Sequence, residues 1–298
     1  MKMKSLPYIA LACGVVALSL SAMFVRWADA PGPITGFYRL FFATIFLTPF
    51  FIQKQSRSAS IPISHLIFPL MGGLFTAFDF AFWNSSLAFT TAANATLLGN
   101  TAPLWVALGA WLLFHERLNA AFWLGLALAL GGAALIMGLD FVLHPRIGLG
   151  DAMACTAGIF YAGYMLTTQR GRRHFDPFRY TWLMCVAASL GMLVINLILR
   201  NPLTGYDNRT WLVFLGTALI SQTVGYISIS YALGHLPARI VSPTLIGQPI
   251  LTTLLAIPLL GEIPNLWQAL GGLIALAGIY VVNQSQYDIK DETTPAPA

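Results

Sequence analysis

The second half of this chain repeats the first at a fixed offset of 146 residues, and each copy holds an odd number of membrane-length apolar segments. Pro103 recurs as Pro249, Glu116 as Glu262, Asn119 as Asn265, Gly125 as Gly271 and Gly132 as Gly278. Between residues 103 and 132, eleven of thirty positions are identical to their counterparts without a gap, where chance in so apolar a composition gives roughly three or four. An odd number of crossings per copy forces the two copies to face opposite ways across a bilayer. Such inverted repeats are common in secondary transporters.

The solvent for most of these side chains is lipid. Of 298 residues, 57% are hydrophobic and 9% charged, against about 25% charged in a soluble domain. The net charge of +5 does not signal nucleic acid, because the basic residues sit in short loops, with no basic helix and no interleaved aromatics. Cys13, Cys155 and Cys185 lie in apolar segments without CxxC spacing, so they read as small buried hydrophobes, not as disulfide or zinc ligands. The opening Met-Lys-Met-Lys resembles a signal peptide, but Leu6 to Val25 is long enough to span and reads as an uncleaved first helix.

Apolar stretches bounded by charge, proline or glycine predict ten spans, near 6–25, 34–52, 65–88, 92–114, 120–140, 149–169, 178–199, 210–234, 239–260 and 266–284. The fold class is therefore all-α integral membrane, with ten transmembrane helices as two inverted five-helix repeats. The first repeat covers 1–140 and the second 149–284, joined by a loop at 141–148 and followed by a polar, disordered tail at 285–298. Eleven Lys and Arg residues fall on one side of this arrangement and four on the other, with Arg39 inside the second span. By the positive-inside rule both termini are cytoplasmic.

Small residues let membrane helices approach closely, so Gly125, Ala129 and Gly132, with their mates Gly271, Ala275 and Gly278, are assigned to packing of spans five and ten. Glu116 and Glu262 close spans four and nine, and Asn119 and Asn265 are positioned to cap the helices that follow.

Asp79 is the sharpest polar signal. A carboxylate at mid-span costs about 2.5–3.5 kcal/mol on insertion scales, and such residues usually face a pathway. It shares a helical stripe with Thr76, Trp83 and Ser86. A structural ion pair or a buried hydrogen-bonded carboxyl is the plainer alternative. Arg39 lies at a depth Asp79 can reach, and three roles stay open for it: binding a substrate carboxylate, pairing with Asp79, or snorkelling to the outer interface. Pro103 and Pro249 sit inside spans four and nine, where they disrupt bonds to the carbonyls of Gly99 and Leu245 and mark kinks or gates. Asn100 and Gln248 stand beside them. Thr244, Gln248 and Thr252 form a polar stripe on span nine. Gln222 and Tyr226 on span eight, Tyr161 and Tyr164 on span six, and Ser19 on span one complete a candidate lining, each with interhelical packing as its plainer alternative.

No metal-ligand cluster, HExxH, Walker A or nucleophile–base set is placed for catalysis. The five histidines sit at span ends or in loops. The expectation is no enzyme activity, no metal and no cofactor.

The run Trp83-Asn84-Ser85-Ser86-Leu87-Ala88-Phe89-Thr90-Thr91-Ala92-Ala93-Asn94-Ala95-Thr96-Leu97-Leu98, the proline and acid at Pro103 and Glu116, and Tyr231-Ala232-Leu233 through Ala238-Arg239-Ile240-Val241-Ser242 to Pro249 and Gly261-Glu262 resemble the EamA-type transporters of the drug/metabolite transporter superfamily. His115-Glu116 departs from the family's usual Gly-Glu. The resemblance covers essentially the whole chain. It implies ten spans, two inverted repeats, alternating access and a central cavity lined by spans one, three, four, six, eight and nine. It also implies transport of small metabolites, with amino acids among those exported by relatives.

The resulting expectation is a secondary transporter in the bacterial inner membrane. It would move small polar or amphipathic metabolites, with amino acids or analogues favoured, outward by alternating access. Its partners are then a small-molecule substrate and membrane lipids, with a proton as candidate coupling ion and no nucleic acid. A monomer and a homodimer are equally compatible with the sequence. The alternatives are an integral-membrane enzyme acting on a lipid-linked substrate, which needs convergent acids, and a passive channel.

Overall fold

The computed structural model describes residues 5–55, 62–86, 89–90, 95, 98–114, 118–137, 148–260 and 266–292. Among the described residues every regular element is helical. In chain order, α1 is Leu6–Ser19, continued by Ser21–Trp27, and α2 is Gly32–Gln55. A 3₁₀ turn, Ile63–Leu66, leads into α3, Ile67–Ser86. Then come α4 (Ala102–Phe114), α5 (Ala120–Met137), α6 (Leu149–Gly171) and α7 (Pro177–Ile198). The eighth helix, α8, runs from Asn208–Gly216 through a π-helical stretch, Thr217–Gly225, into Tyr226–Leu233. Two pieces, Ala238–Thr244 and Gly247–Leu260, make α9, and α10 is Leu266–Glu292. Five segments are long and apolar enough to cross a membrane: Gly32–Gln53, Ile63–Ser86, Pro177–Ile198, Asn208–Leu233 and Leu266–Ser285. Leu6–Ser19, Ala102–Leu113 and Ala120–Ile136 are shorter apolar helices.

Helix starts are set by side chains that satisfy otherwise orphaned N–H groups. Asp176 accepts from the backbone N–H groups of Phe178 and Arg179, with Pro177 at the first helical position. Asp207 accepts from Thr210 N at 2.9 Å. Asn119 accepts from Phe122 N at 2.9 Å, the capping role its position suggests. Glu116, Glu262, Asn265, the link at 138–147 and the last residues, 293–298, lie outside the described residues.

Packing contacts fix the mutual directions of the helices. Asn196 donates to Pro33 O at one end of the α2–α7 pair and Trp182 donates to Thr48 Oγ1 at the other, so these two run antiparallel. Gly150 lies against Phe89 and Thr90, while Gly171 lies against Phe68, which sets α6 antiparallel to α3. Gly73 packs on Met184–Ala188 and Gly191 on Ala77, so α3 and α7 are parallel. In α1, Gly14 meets Ile229 and Leu18 meets Gly225, antiparallel to α8.

The closest approach is between α5 and α10. A Cβ placed on Gly132 would lie 2.3 Å from Ala275 N, and one on Gly278 would lie 2.3 Å from Ala129 N. Gly125 meets Gly278 and Gly132 meets Gly271. Each glycine thus sits against the repeat mate of the other, in an antiparallel crossing that only residues without side chains permit.

Three boundaries differ from the sequence reading. Although the fourth span is predicted as continuous from 92, the helical residues 95, 98 and 99 are separated from α4, Ala102–Phe114, by a turn at Asn100 and Thr101. Its proline therefore lies in the first turn of a helix, where its missing N–H would be unpaired in any case. In α9 the helix breaks after Thr244 and restarts at Gly247, which puts Pro249 in a first turn as well. Finally, α10 continues past 284 to Glu292. Residues 285–292 contain neither glycine nor proline, so nothing local stops the helix there.

Candidate functional site

Arg39 is the centre of the polar interior. It sits in the first third of α2 with only 8% of its surface exposed. A buried guanidinium is tolerable only when its donors are met. Its Nε donates to Gln222 Oε1 at 2.7 Å and its Nη1 donates to Ser21 Oγ at 2.8 Å. Two rings flank the cation, Phe80 at 4.9 Å and Tyr226 at 5.5 Å from Cζ. The guanidinium is thus sequestered between helices and does not snorkel to the bilayer surface.

Asp79 lies one residue before Phe80 on α3. It attracts Arg39 across the site, and Tyr161 and Tyr226 lie in the field of both charges. Among the described residues no salt bridge joins Asp79 to Arg39, so the two are neighbours without a direct ion pair. Asp79 as a whole residue is half-buried. Thr76 and Ser86, its stripe mates, turn to their own helix: Thr76 donates to Gly72 O at 2.9 Å and Ser86 to Trp83 O at 2.7 Å.

Aromatic side chains from α6 and α8 continue the site. Tyr161 stacks on Tyr164 with centroids 5.9 Å apart, and Tyr164 meets Tyr226 at 5.3 Å. The Tyr164 hydroxyl is buried without a hydrogen-bond partner among the described residues. The structure therefore brings together Arg39, Asp79, Tyr161, Tyr164, Gln222 and Tyr226.

The other sequence candidates lie at the helix breaks. Trp83 faces the turn before α4, 3.1 Å from a Cβ placed on Gly99. Asn100 and Thr101 form that turn, in which Leu98 O accepts from both the N–H and the hydroxyl of Thr101, and Gly158 of α6 lets the carbonyls of Leu98 and Gly99 approach closely. At the α9 break, Gln248 N donates to Leu245 O, the carbonyl that Pro249 cannot reach. Ser19 donates to Val15 O at 2.7 Å and to Gln248 O at 3.3 Å, and Thr252 donates to Ser19 O at 3.0 Å. The polar stripe of α9 is thus divided by the break. Thr244 bonds its own helix at Ile240 O, while Thr252 ties α9 to α1.

Two participants carry no sequence signal. Cys185 of α7, read as a plain buried hydrophobe, lies 3.7 Å from Gln222 Nε2. The π-helical stretch of α8 holds Gln222 in place, with Thr223 Oγ1 donating to Ala218 O at 2.8 Å. π-turns occur mostly as single-turn bulges and often at functional sites.

One end of the bundle is fastened by side chains of α6. Gln169 Oε1 accepts from Ala238 N at 2.8 Å, and Arg172 Nε donates to Ser230 O at 2.9 Å. Burial lowers the Arg172 pKa from its ordinary value, opposed chiefly by the nearby Asp176 carboxylate.

With this geometry in view, the chain can be compared with known proteins. The sequence pattern of the EamA-like transporter family matches it twice, over residues 5–138 and 148–284. An uncharacterized transporter of Archaeoglobus fulgidus is 27% identical over 261 residues, covering 84% of this chain and 87% of its own length. The uncharacterized transporter YxxF of Bacillus subtilis is 24% identical, covering 93% and 89%. A probable terminal-alkyne amino-acid exporter of Streptantibioticus cattleyicolor is 27% identical over 65% of this chain and 64% of its own. A solved crystal structure at 17% identity superposes with a TM-score of 0.78, covering 95% of this chain and 98% of that one, which establishes the fold.

Proposed function

Because the chain belongs to the EamA-like transporter family, whose members are integral membrane proteins that move small molecules, we propose that it is a secondary transporter of zwitterionic metabolites. Amino acids or close analogues are the favoured substrates. They are exported by alternating access around the Arg39–Asp79 site. A single observation carries this reading: a cation and a carboxylate face one site between the helices, unpaired with each other and surrounded by aromatic rings. Arg39 binds the substrate carboxylate and Asp79 the amine, with Tyr161, Tyr164, Tyr226 and Trp83 against the side chain. Asp79 is also the candidate coupling group for a proton. The Streptantibioticus relative, a probable terminal-alkyne amino-acid exporter, supports this substrate class.

The architecture proposed is ten crossings in two inverted repeats, 1–140 and 149–284, with both termini cytoplasmic. Helix directions support it, since α3 and α7 run parallel while α5 and α10 run antiparallel, as alternating passes require. Exchange of glycine mates across the α5–α10 crossing is what a two-fold axis in the membrane plane would produce. Breaks in α1, α4 and α9 give each repeat a hinge.

Counterflow in proteoliposomes loaded with single amino acids tests the function. Saturable, stereoselective uptake by the intact protein, lost in Arg39→Gln and Asp79→Asn, is expected. Flux that rises linearly with concentration would indicate a passive channel, and a chemically altered product would indicate an enzyme.

A further inference from the structure

Gln222 stands out because its amide is fully committed to protein. The side chain is 0% exposed. Its Oε1 accepts from Arg39 Nε at 2.7 Å, and its Nε2 donates to Cys185 Sγ at 3.7 Å. Neither end is free for a ligand. Arginine carries five N–H donors in a rigid fork. Gln222 closes the Nε edge, and Ser21 occupies Nη1 from α1. The Phe80 and Tyr226 rings lie against the cation, 4.9 and 5.5 Å from Cζ. Among the described residues three of the five N–H donors are left without a protein partner, one on Nη1 and both on Nη2, so a carboxylate can approach at the Nη end and not at the Nε edge.

The backbone under Gln222 is built for this. Its π-helical stretch packs more residues per turn than an α-helix, which rotates Gln222 relative to the flanking α-helical parts of α8. Ser221, its neighbour, donates to Ala17 O at 3.1 Å and anchors the stretch to α1. Arg39 is therefore held by two elements, the turn after α1's first segment and the π stretch of α8.

We propose that Gln222 is a positioning residue that orients Arg39 for a carboxylate-bearing substrate without touching that substrate. The proposal rests on the assignment of Arg39 as the carboxylate contact. It moves Gln222 out of the set of direct contacts suggested by sequence, and it makes selectivity for the carboxylate a property of α8 as well as α2.

The test uses two probes on the full-length protein in proteoliposomes: L-phenylalanine, and phenethylamine, which lacks the carboxylate. For Gln222→Leu the expected result is a KM for phenylalanine raised at least tenfold with kcat within twofold, and an unchanged half-saturation for phenethylamine. In an Arg39→Gln background, Gln222→Leu adds no further loss, because it acts through the missing guanidinium. Equal weakening of both probes, or additive effects in the double variant, would make Gln222 a direct contact or a general structural element and overturn the proposal. A wild-type response to Gln222→Leu, with Arg39→Gln still defective for phenylalanine, also overturns it while leaving Arg39 as the contact. If the unmodified protein handles neither probe, or Arg39→Gln leaves phenylalanine unaffected, the Arg39 assignment falls and the positioning role with it. Should Gln222→Leu fail to fold, Gln222→Asn, which draws the amide back from Arg39 Nε, is read by the same criteria.

Discussion

Two adjacent glycines on α5 should respond oppositely to the same substitution. Gly132 faces α10, where an added Cβ would lie 2.3 Å from Ala275 N, 2.5 Å from Gly271 O and 2.8 Å from Ala275 Cα. All three neighbours are backbone, so no side chain can swing aside. Ordinary contact begins near 3.4 Å, so the helices must separate by about 1 Å, and overpacking of this kind costs roughly 1–3 kcal/mol. Gly131 has nothing within 4 Å of its would-be Cβ. Alanine there removes glycine's helix penalty and contributes about 1 kcal/mol. Gly132→Ala gains the same propensity, so that term cancels and the two substitutions should differ by the overpacking cost alone, about 1–3 kcal/mol. Thermal unfolding in detergent, followed by tryptophan fluorescence, ranks Gly132→Ala lowest, then the unmodified protein, then Gly131→Ala. A Gly132→Ala midpoint at or above that of Gly131→Ala would refute the close α5–α10 crossing.

Asn119→Ala should lower stability by about 1 kcal/mol through loss of the α5 cap, read as a reduced unfolding midpoint. The Thr210 hydrogen bonds hold the Asp207 carboxyl below its ordinary value of 3.8. A depressed carboxylate adds stability above the unfolded pKa and loses it as pH falls through the folded one. The advantage of Asp207 over an alanine at that position should accordingly be present at pH 7 and shrink below about pH 4, as measured by the difference in midpoints. Gln169→Ala and Arg172→Ala should speed amide hydrogen exchange at Ala238 and around Ser230, where α6 fastens α8 and α9, and unchanged exchange would remove that fastening.

What the sequence made legible depended on periodicity and cost. The α5 and α10 glycines stand at spacings that face one another, and a mid-span carboxylate is too expensive to be incidental, so packing and Asp79 could both be read directly. Arg39 could be placed near Asp79 by depth, but not the destination of its protons. That depends on Gln222, whose azimuth is set by a π stretch that helical periodicity cannot register. The same limit governs Thr244, Gln248 and Thr252, which form one stripe only if α9 is continuous. A break after Thr244 sends Thr252 to Ser19 instead. The two prolines signalled irregular backbone at the right places, yet as first-turn residues of new helices and not as bends within old ones. Cys185 gave no signal because a buried thiol looks like any small apolar residue until its neighbour is known.

Accessibility of a cysteine at position 83 tests the account most directly, since Trp83 is part-exposed on α3 one turn from Asp79. With Cys13, Cys155 and Cys185 replaced by alanine, Trp83→Cys would be exposed to a membrane-impermeant maleimide in right-side-out and in inverted vesicles. Alternating access around the Arg39–Asp79 site predicts labelling from each face, slowed by a transported amino acid. Failure to label from both faces would contradict it.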